Sequence, residues 1–325
     1  NTINAGADIG AIASALNLLL PVKPVALVVP IGLGIVAVQV WGSYRVVATI
    51  FKWLSLSLLA YIGASALAHP NLAQVLSGAL IPRLRLDAGY LATLVALFGT
   101  TISPYMFFWQ ASQEVDEDVA AGRRHLWQRR GTTDAEVRYA ALDINAGMLF
   151  SNVVMFAIIL ASGATLYAHG IHHIDTAAQA AVALEPIAGK FSGELLAVGL
   201  IGTGFLAVPI LTASTAYAVA EAAGWKCGLG AKPGAAPKFY VILAISTLVG
   251  IQVNLMGISA IGLLFWTAVI NGALAPLLLV FIMLASNDRR VMGDRRNGPV
   301  LNILGWAAAA LMSVAAVGLL VTSIP

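Results

Sequence analysis

Apolar residues fill this chain in long blocks without charge, separated by short polar stretches. The charge-free intervals are 25–44, 53–82, 88–113, 144–174, 195–220, 239–287 and 297–325. A helix that crosses a bilayer takes about 20 apolar residues. The block 239–287 is too long for one crossing and predicts two helices, with a turn near Asn254-Leu-Met-Gly257. With the opening segment 2–20, the pattern predicts nine spans joined into one transmembrane domain over 1–325. Two connections are longer. One, 115–137, is charged; the other, 167–191, holds His169, His172, His173, Asp175 and an Ala-rich run, 177–184, expected to form a short interfacial helix.

Composition turns this pattern into a class. The chain is 59% hydrophobic and only 10% charged, where globular proteins carry about 25% charged residues. A water-soluble domain cannot hide that much apolar surface, so the expectation is an all-α polytopic membrane protein. The net charge of +3 matters less than its distribution: of the 18 Lys and Arg, all but Lys23, Arg83, Arg85 and Lys190 fall in connections on one side of the alternating spans. Lys and Arg concentrate on the cytoplasmic side. The first segment is therefore expected to run from inside to outside, with the C-terminus outside, and the basic residues need no nucleic-acid partner. Trp41, Trp53, Trp225, Phe239 and Tyr240 at span ends read as an interfacial aromatic belt. Cys227 is alone, which excludes a disulfide framework. No Ser/His/Asp arrangement, phosphate-cradling loop or nucleotide motif is present, so neither an enzyme nor a cofactor is expected.

Polar groups inside spans are costly and mark candidate sites. The strongest candidate is Gly99-Thr-Thr-Ile-Ser-Pro-Tyr105. Pro104 removes a backbone donor and clashes with the carbonyl four residues earlier, at a cost of about 3 kcal/mol in a continuous helix. Broken helices at mid-membrane present backbone oxygens to ions, so Thr100 and Ser103 are candidate ligands. Gln110 and Glu114 fall within about 20° of Ser103 on a helical wheel and extend a polar stripe toward the inner side. The competing reading is a plain proline kink satisfied by hydroxyls. Asn1, Asn4 and Asp8 form a second stripe, where Asp8 serves either an ion or proton pathway or a structural hydrogen bond. Asn145 and Asn152 share a face, and Asp143 reads as a helix-terminal structural carboxylate. Thr267 and Asn271, one turn apart and followed by Gly272 and Pro276, are candidate second contributors to the Pro104 site. Gly202-Thr-Gly-Phe-Leu-Ala-Val-Pro209 is a softened helix, by hinge or by packing. The histidines of 169–173 read as solvated surface rather than a metal site.

Together these residues resemble the NRAMP (natural resistance-associated macrophage protein) family of divalent-metal transporters. Gly99–Tyr105 is similar to the family's unwound sixth span, which usually carries Met-Pro-His. Ala7-Asp8-Ile-Gly-Ala11 is similar to the third span, which typically reads Thr-Asp-Leu-Ala-Glu, and Asp143 and Asn152 match an Asp and an Asn of the seventh. The resemblance implies a leucine-transporter-type inverted-repeat fold, with nine of eleven transmembrane helices in this chain. The first two, including an Asp-Pro ion motif, would be missing from a chain that starts at Asn1 inside a helix. It also implies metal contacts at Thr100, Ser103, Tyr105, Thr267 and Asn271, a pathway past Asp8, Asn4, Gln110, Glu114 and Asn152, and Pro104 as the structural break. The expected location is a bacterial inner membrane.

The departures shape the expected substrate. Ser103 replaces a Met, Tyr105 a His and Ala11 a Glu. Thioether sulfur suits softer metals, whereas hydroxyl, carbonyl and water oxygens suit Mg²⁺, Ca²⁺ or Mn²⁺. Magnesium keeps several of its waters. The pattern is similar to the NRAMP-related magnesium transporter branch, and predicts Mg²⁺ import, with Mn²⁺ second and proton coupling weak. An amino-acid or small-amine symporter of the same fold is the alternative.

Overall fold

The computed structural model describes residues 1–42, 52–81, 84–129, 131–176, 179–180 and 189–323. Their long regular elements are all helical: α1 (Thr2–Leu19), α2 (Pro24–Trp41), α3 (Lys52–Leu67), α4 (Leu72–Leu80), α5 (Ala88–Thr101), α6 (Pro104–Ala120), α7 (Asp134–Ala164), α8 (Lys190–Ala222), α9 (Pro237–Leu255), α10 (Ala260–Asn287) and α12 (Pro299–Ser323), with a single turn, α11 (Arg289–Met292), before the last. Seven stretches are long and apolar enough to cross a membrane, counting α5 and α6 as one; α1 and the shorter α3 are not among them. The chain is a polytopic integral membrane protein. The expected interfacial helix at 177–184 falls mostly outside the described residues.

Helix ends follow local chemistry more closely than they follow the limits of the charge-free blocks. The block 53–82 is two helices rather than one. His69 takes a positive φ of 44°, Pro70 follows, and the Asn71 side chain accepts from Ala73 N and Gln74 N to start α4. Helix α7 starts at Asp134, not near 142, because Thr133 and Glu136 form a reciprocal capping box. Asp143 is therefore an exposed residue within α7, which corrects its reading as a helix-terminal carboxylate. The predicted turn at 254–257 is present, with Gly257 at φ 72°.

The chain divides into two compact units. The first comprises Asn1–Ile81 and Phe108–Leu263. Its centre is built from α1, α2, α8 and α9, with α3 against α7 and α8. The α1–α9 seam uses small residues. Thr2 Oγ1 and Ser246 Oγ are 2.9 Å apart, a Cβ on Gly6 would approach the Gly250 carbonyl to 2.7 Å, and Gly10 lies against the Asn254 amide. Asn254 Nδ2 donates to the Gly6 carbonyl and, at 3.0 Å, to the Gly250 carbonyl. The three pairs advance together along both helices, so α1 and α9 run parallel in the close-approach manner of membrane helices. Against α9, α2 runs the other way: Gly32 meets Ile251 and Thr247, while Val36 and Val40 join Phe239 and Leu243. Helix α3 is antiparallel to α8, with Ser57 opposite Gly202 and Tyr61 opposite Gly199.

Aromatic residues at the start of α9 correct another expectation. Phe239 is fully buried and Tyr240 is 7% exposed; they are core residues packed on Tyr217, not part of a lipid-facing belt. Trp41 and Trp53, by contrast, are 79% and 65% exposed.

The second unit comprises Pro82–Phe107 and Leu264–Pro325. Ala92, Val95 and Ala96 of α5 pack with Ala268 and Val269 of α10 and Ala315 of α12. At Gly99 and Gly272 the two backbones touch. A Cβ on Gly99 would collide with the Ala268 carbonyl and the Gly272 amide, and one on Gly272 with the Val95 carbonyl.

Candidate functional site

The break predicted at Pro104 is present in the second unit. Asp87 starts α5 by accepting the Tyr90 amide at 2.9 Å, a bond that holds its carboxyl below the usual range, with Arg85 adding to the effect. The helix ends at Thr101. Ile102, at φ −117° and ψ 76°, leaves helical geometry, and α6 restarts at Pro104. Proline has no N–H, so the Thr100 carbonyl has no helical donor. Ser103 Oγ lies 2.9 Å from the Gly99 carbonyl and 3.2 Å from the Thr100 carbonyl, its one proton shared between them. Each carbonyl has two lone pairs, so both oxygens keep acceptor capacity outside the helical ladder. The Thr100 and Thr101 hydroxyls turn back to the Leu97 carbonyl, at 2.9 and 2.7 Å. Ser103 and Tyr105 are half-buried around a buried Pro104, and Thr100 is exposed.

The glycine crossing brings α10 to this point. Thr267 precedes, and Asn271 lies within, the Ala268–Gly272 stretch that touches Gly99. The Thr267 hydroxyl donates to the Leu264 carbonyl at 3.0 Å. Asn271 is half-buried. The result is a cluster of carbonyl, hydroxyl and amide oxygens with no carboxylate, thiol or imidazole among the named groups. Such a set suits hard cations.

The other candidates belong to the first unit. Asp8 and Asn4 are half-buried on α1, and the Asp8 backbone carbonyl faces Gly204 of α8. Gln110 Nε2 donates to Glu114 Oε1 at 3.3 Å on an exposed face of α6. Asn152 Nδ2 donates to the Met148 carbonyl of its own helix at 2.7 Å, as Asn145 does to Ala141. The histidines of 169–173 take separate partners: His169 the Thr165 carbonyl, His173 the exposed Asp175, His172 the ring of Tyr167. Helix α8 is continuous through Pro209.

Three buried polar links escaped the sequence reading. Gln39 Nε2 donates to the Pro209 carbonyl at 2.9 Å; Asn254 joins α9 to α1; Tyr217 joins α8 to Asp116. Gln39 and Asn254 were visible as polar residues within charge-free blocks, the same signal that marked Thr267 and Asn271.

A family model described as natural resistance-associated macrophage protein-like matches residues 1–322. The chain belongs to the NRAMP family. Relatives named divalent metal cation transporter MntH include those of Aeromonas hydrophila (24% identical over 292 residues, 86% of this chain and 66% of that protein) and Yersinia enterocolitica (26% over 253 residues, 76% and 55%). A third, from Caldanaerobacter subterraneus, is 21% identical over 285 residues, 86% of this chain and 62% of that protein. The chain thus spans between 55% and 66% of the length of these NRAMP relatives.

Proposed function

We propose that this protein is a secondary transporter that imports divalent metal cations by alternating access, with the substrate held at the Pro104 break. The observation that carries this reading is the pair of carbonyls, Gly99 and Thr100, left outside the helical ladder beside the Gly99–Gly272 crossing. Thr100 contributes its main-chain oxygen and Ser103 its hydroxyl or a bridging water; Thr267 and Asn271 complete the set from α10, and Tyr105 shapes the pocket. Asp8 and Asn4 tune the electrostatics of the pathway, and Gln110, Glu114 and Asn152 line it. The names of the MntH relatives support a divalent cation as the substrate. The oxygen-only set favours Mg²⁺, with Mn²⁺ accepted, since Mg²⁺ binds through oxygens and retained waters. Ala11 and Tyr105 stand where the family has Glu and His, which removes two titratable groups and favours weak proton coupling.

The fold we infer is the leucine-transporter-type inverted repeat, with nine of its eleven spans in this chain as one transmembrane domain. Helix direction supports the odd count. Parallel packing of α1 and α9 requires an even number of reversals between them, which α3 supplies only if it crosses the membrane. The basic connections face the cytoplasm and the C-terminus lies outside.

Uptake by the full-length protein in proteoliposomes tests the assignment. Saturable Mg²⁺ uptake that falls with Ser103→Ala is the expected result. A strong preference for Cd²⁺ or Fe²⁺ over Mg²⁺ would overturn the selectivity, and metal-driven acidification of the lumen would overturn weak coupling.

A further inference from the structure

The first unit contains a polar junction that ion binding leaves unused. Trp109, Ser112, Gln113 and Asp116 share one face of α6, and all four meet α8. Tyr217 is the hub. Its hydroxyl donates to Asp116 Oδ2 at 2.6 Å and accepts the Leu229 amide N–H at 2.9 Å, with Gln113 Nε2 at 3.5 Å. Its ring meets Trp109 and Phe239 edge-on, at centroid distances of 6.3 and 4.8 Å. One turn along α8, Glu221 Oε1 accepts from Ser112 Oγ at 3.2 Å.

The Leu229 amide belongs to the connection 223–236, which bends at Gly224 (φ 66°) and Gly228 (φ 132°). Besides Tyr217, the Tyr240 hydroxyl lies 2.8 Å from the Ala231 carbonyl and 3.3 Å from the Leu229 carbonyl, Lys238 Nζ sits 4.7 Å from the Trp225 ring centroid, and Trp225, Cys227, Leu229 and Ala231 pack against the cluster that holds Tyr217 and Phe239. Elsewhere in the unit, helices join through glycines and apolar side chains with single polar links such as Gln39 to the Pro209 carbonyl, and the apolar contacts cannot part without leaving a void or exposing apolar surface. A hydroxyl, a carboxylate and an amide at a helix end can part and be rehydrated. At its other end α6 begins at Pro104, which donates no backbone hydrogen bond into α5.

We propose that Tyr217 is a clasp: it ties the end of α6, through Asp116, to the 223–236 connection, through the Leu229 amide, and its release opens the inner face of the protein beside α6. The inner-face assignment and the link to the ion cycle rest on the proposed function; the clasp itself rests on the geometry alone.

Cys227 supplies the probe, as the chain's one cysteine. It is half-buried within the clasped connection, and its thiol pKa is pushed up by burial and by the Glu221 and Asp116 carboxylates. Tyr217→Phe removes only the hydroxyl, keeping the ring packing and both carboxylates. In ion-free proteoliposomes, maleimide labelling of Cys227 should accelerate about fivefold in this variant, the factor that one net hydrogen bond contributes. Asp116→Ala, which removes the acceptor, should match it once rates are normalised to the thiolate fraction measured over pH. Glu117→Gln, on an exposed position of α6, should label as wild type. In the wild-type protein Mg²⁺ should change the labelling rate, and Tyr217→Phe should abolish that change.

Wild-type labelling of Tyr217→Phe overturns the clasp. A wild-type protein that takes up Mg²⁺ but labels identically with and without it overturns the link to the cycle. Absence of uptake overturns the proposed function instead, and the ion-free labelling still decides the clasp.

Discussion

Two prolines that follow glycines in apolar stretches of this protein behave differently: Pro104 marks a helix break and Pro209 does not. Pro209 follows Gly202 and Gly204 in α8, which runs unbroken over 33 residues. Pro104 follows Gly99, and there the chain divides into α5 and α6. The difference lies in the surroundings. Around Pro209, Val208, Leu211, Thr212 and Ala213 are all fully buried, and the Gln39 amide donates to the Pro209 carbonyl. Thr212 adds a hydroxyl bond to the Val208 carbonyl at 3.0 Å. The packing holds that segment helical despite the lost donor. Around Pro104 the preceding residue, Ser103, is half-buried, no buried amide reaches the segment as Gln39 reaches Pro209 among the described residues, and Ile102 leaves helical geometry. A proline marks where a helix can open, and its neighbours decide whether it does.

The contrast can be broken at its strongest point first. Gly99→Val or Gly272→Val places side-chain atoms into the facing backbone, which cannot yield as a side chain can. Overpacking of this kind costs about 1–3 kcal/mol or more, so a lower thermal midpoint in detergent and no measurable uptake are expected. Gly204→Ala, whose Cβ would meet the movable Ile12 side chain, should cost less.

Next, Pro104→Ala restores the missing N–H and should close the helix, lowering uptake at least about tenfold, or about 1.4 kcal/mol of barrier. Pro209→Ala should leave uptake within about twofold, because α8 is already helical and regains a donor. Equal effects in the two variants would refute the contrast. Ser103→Met keeps the proline and replaces hydroxyl by thioether; competition assays should show a shift from Mg²⁺ toward Cd²⁺. The smallest effect on transport is expected for Gln39→Leu. It removes one buried hydrogen bond from the Pro209 carbonyl, which keeps the Thr212 hydroxyl at 3.2 Å, and should cost about 1 kcal/mol of stability, read as a lower melting midpoint with uptake retained.

The candidate site was legible where a polar or breaking residue had to be explained within its own block. Thr100, Ser103, Pro104, Thr267 and Asn271 all stood out because lipid does not tolerate them without a partner. The limits of the helices were less legible. Charge marks where a helix leaves lipid, whereas the Thr133–Glu136 capping box, which starts α7 well before its apolar part, marks where the helix begins. Phe239 and Tyr240 looked interfacial because their place in the chain is near a charged connection; Tyr217, on the facing helix, makes them core. Neither Asp116 nor Tyr217 was singled out, since each is ordinary alone and gains meaning only when folding brings together groups about 100 residues apart, as the hydrogen-bond separation records.

By itself the sequence determined that this is a helical membrane protein, that the block 239–287 turns near 254–257, and that the helix before Pro104 is prone to open. Those properties follow from transfer energies and from a missing N–H, both local to the segment. Tertiary structure decided which proline opens, which glycines let backbones touch and which polar side chains find partners. Close packing and hydrogen bonds act over a few ångströms, and only the folded chain sets which residues lie within that reach.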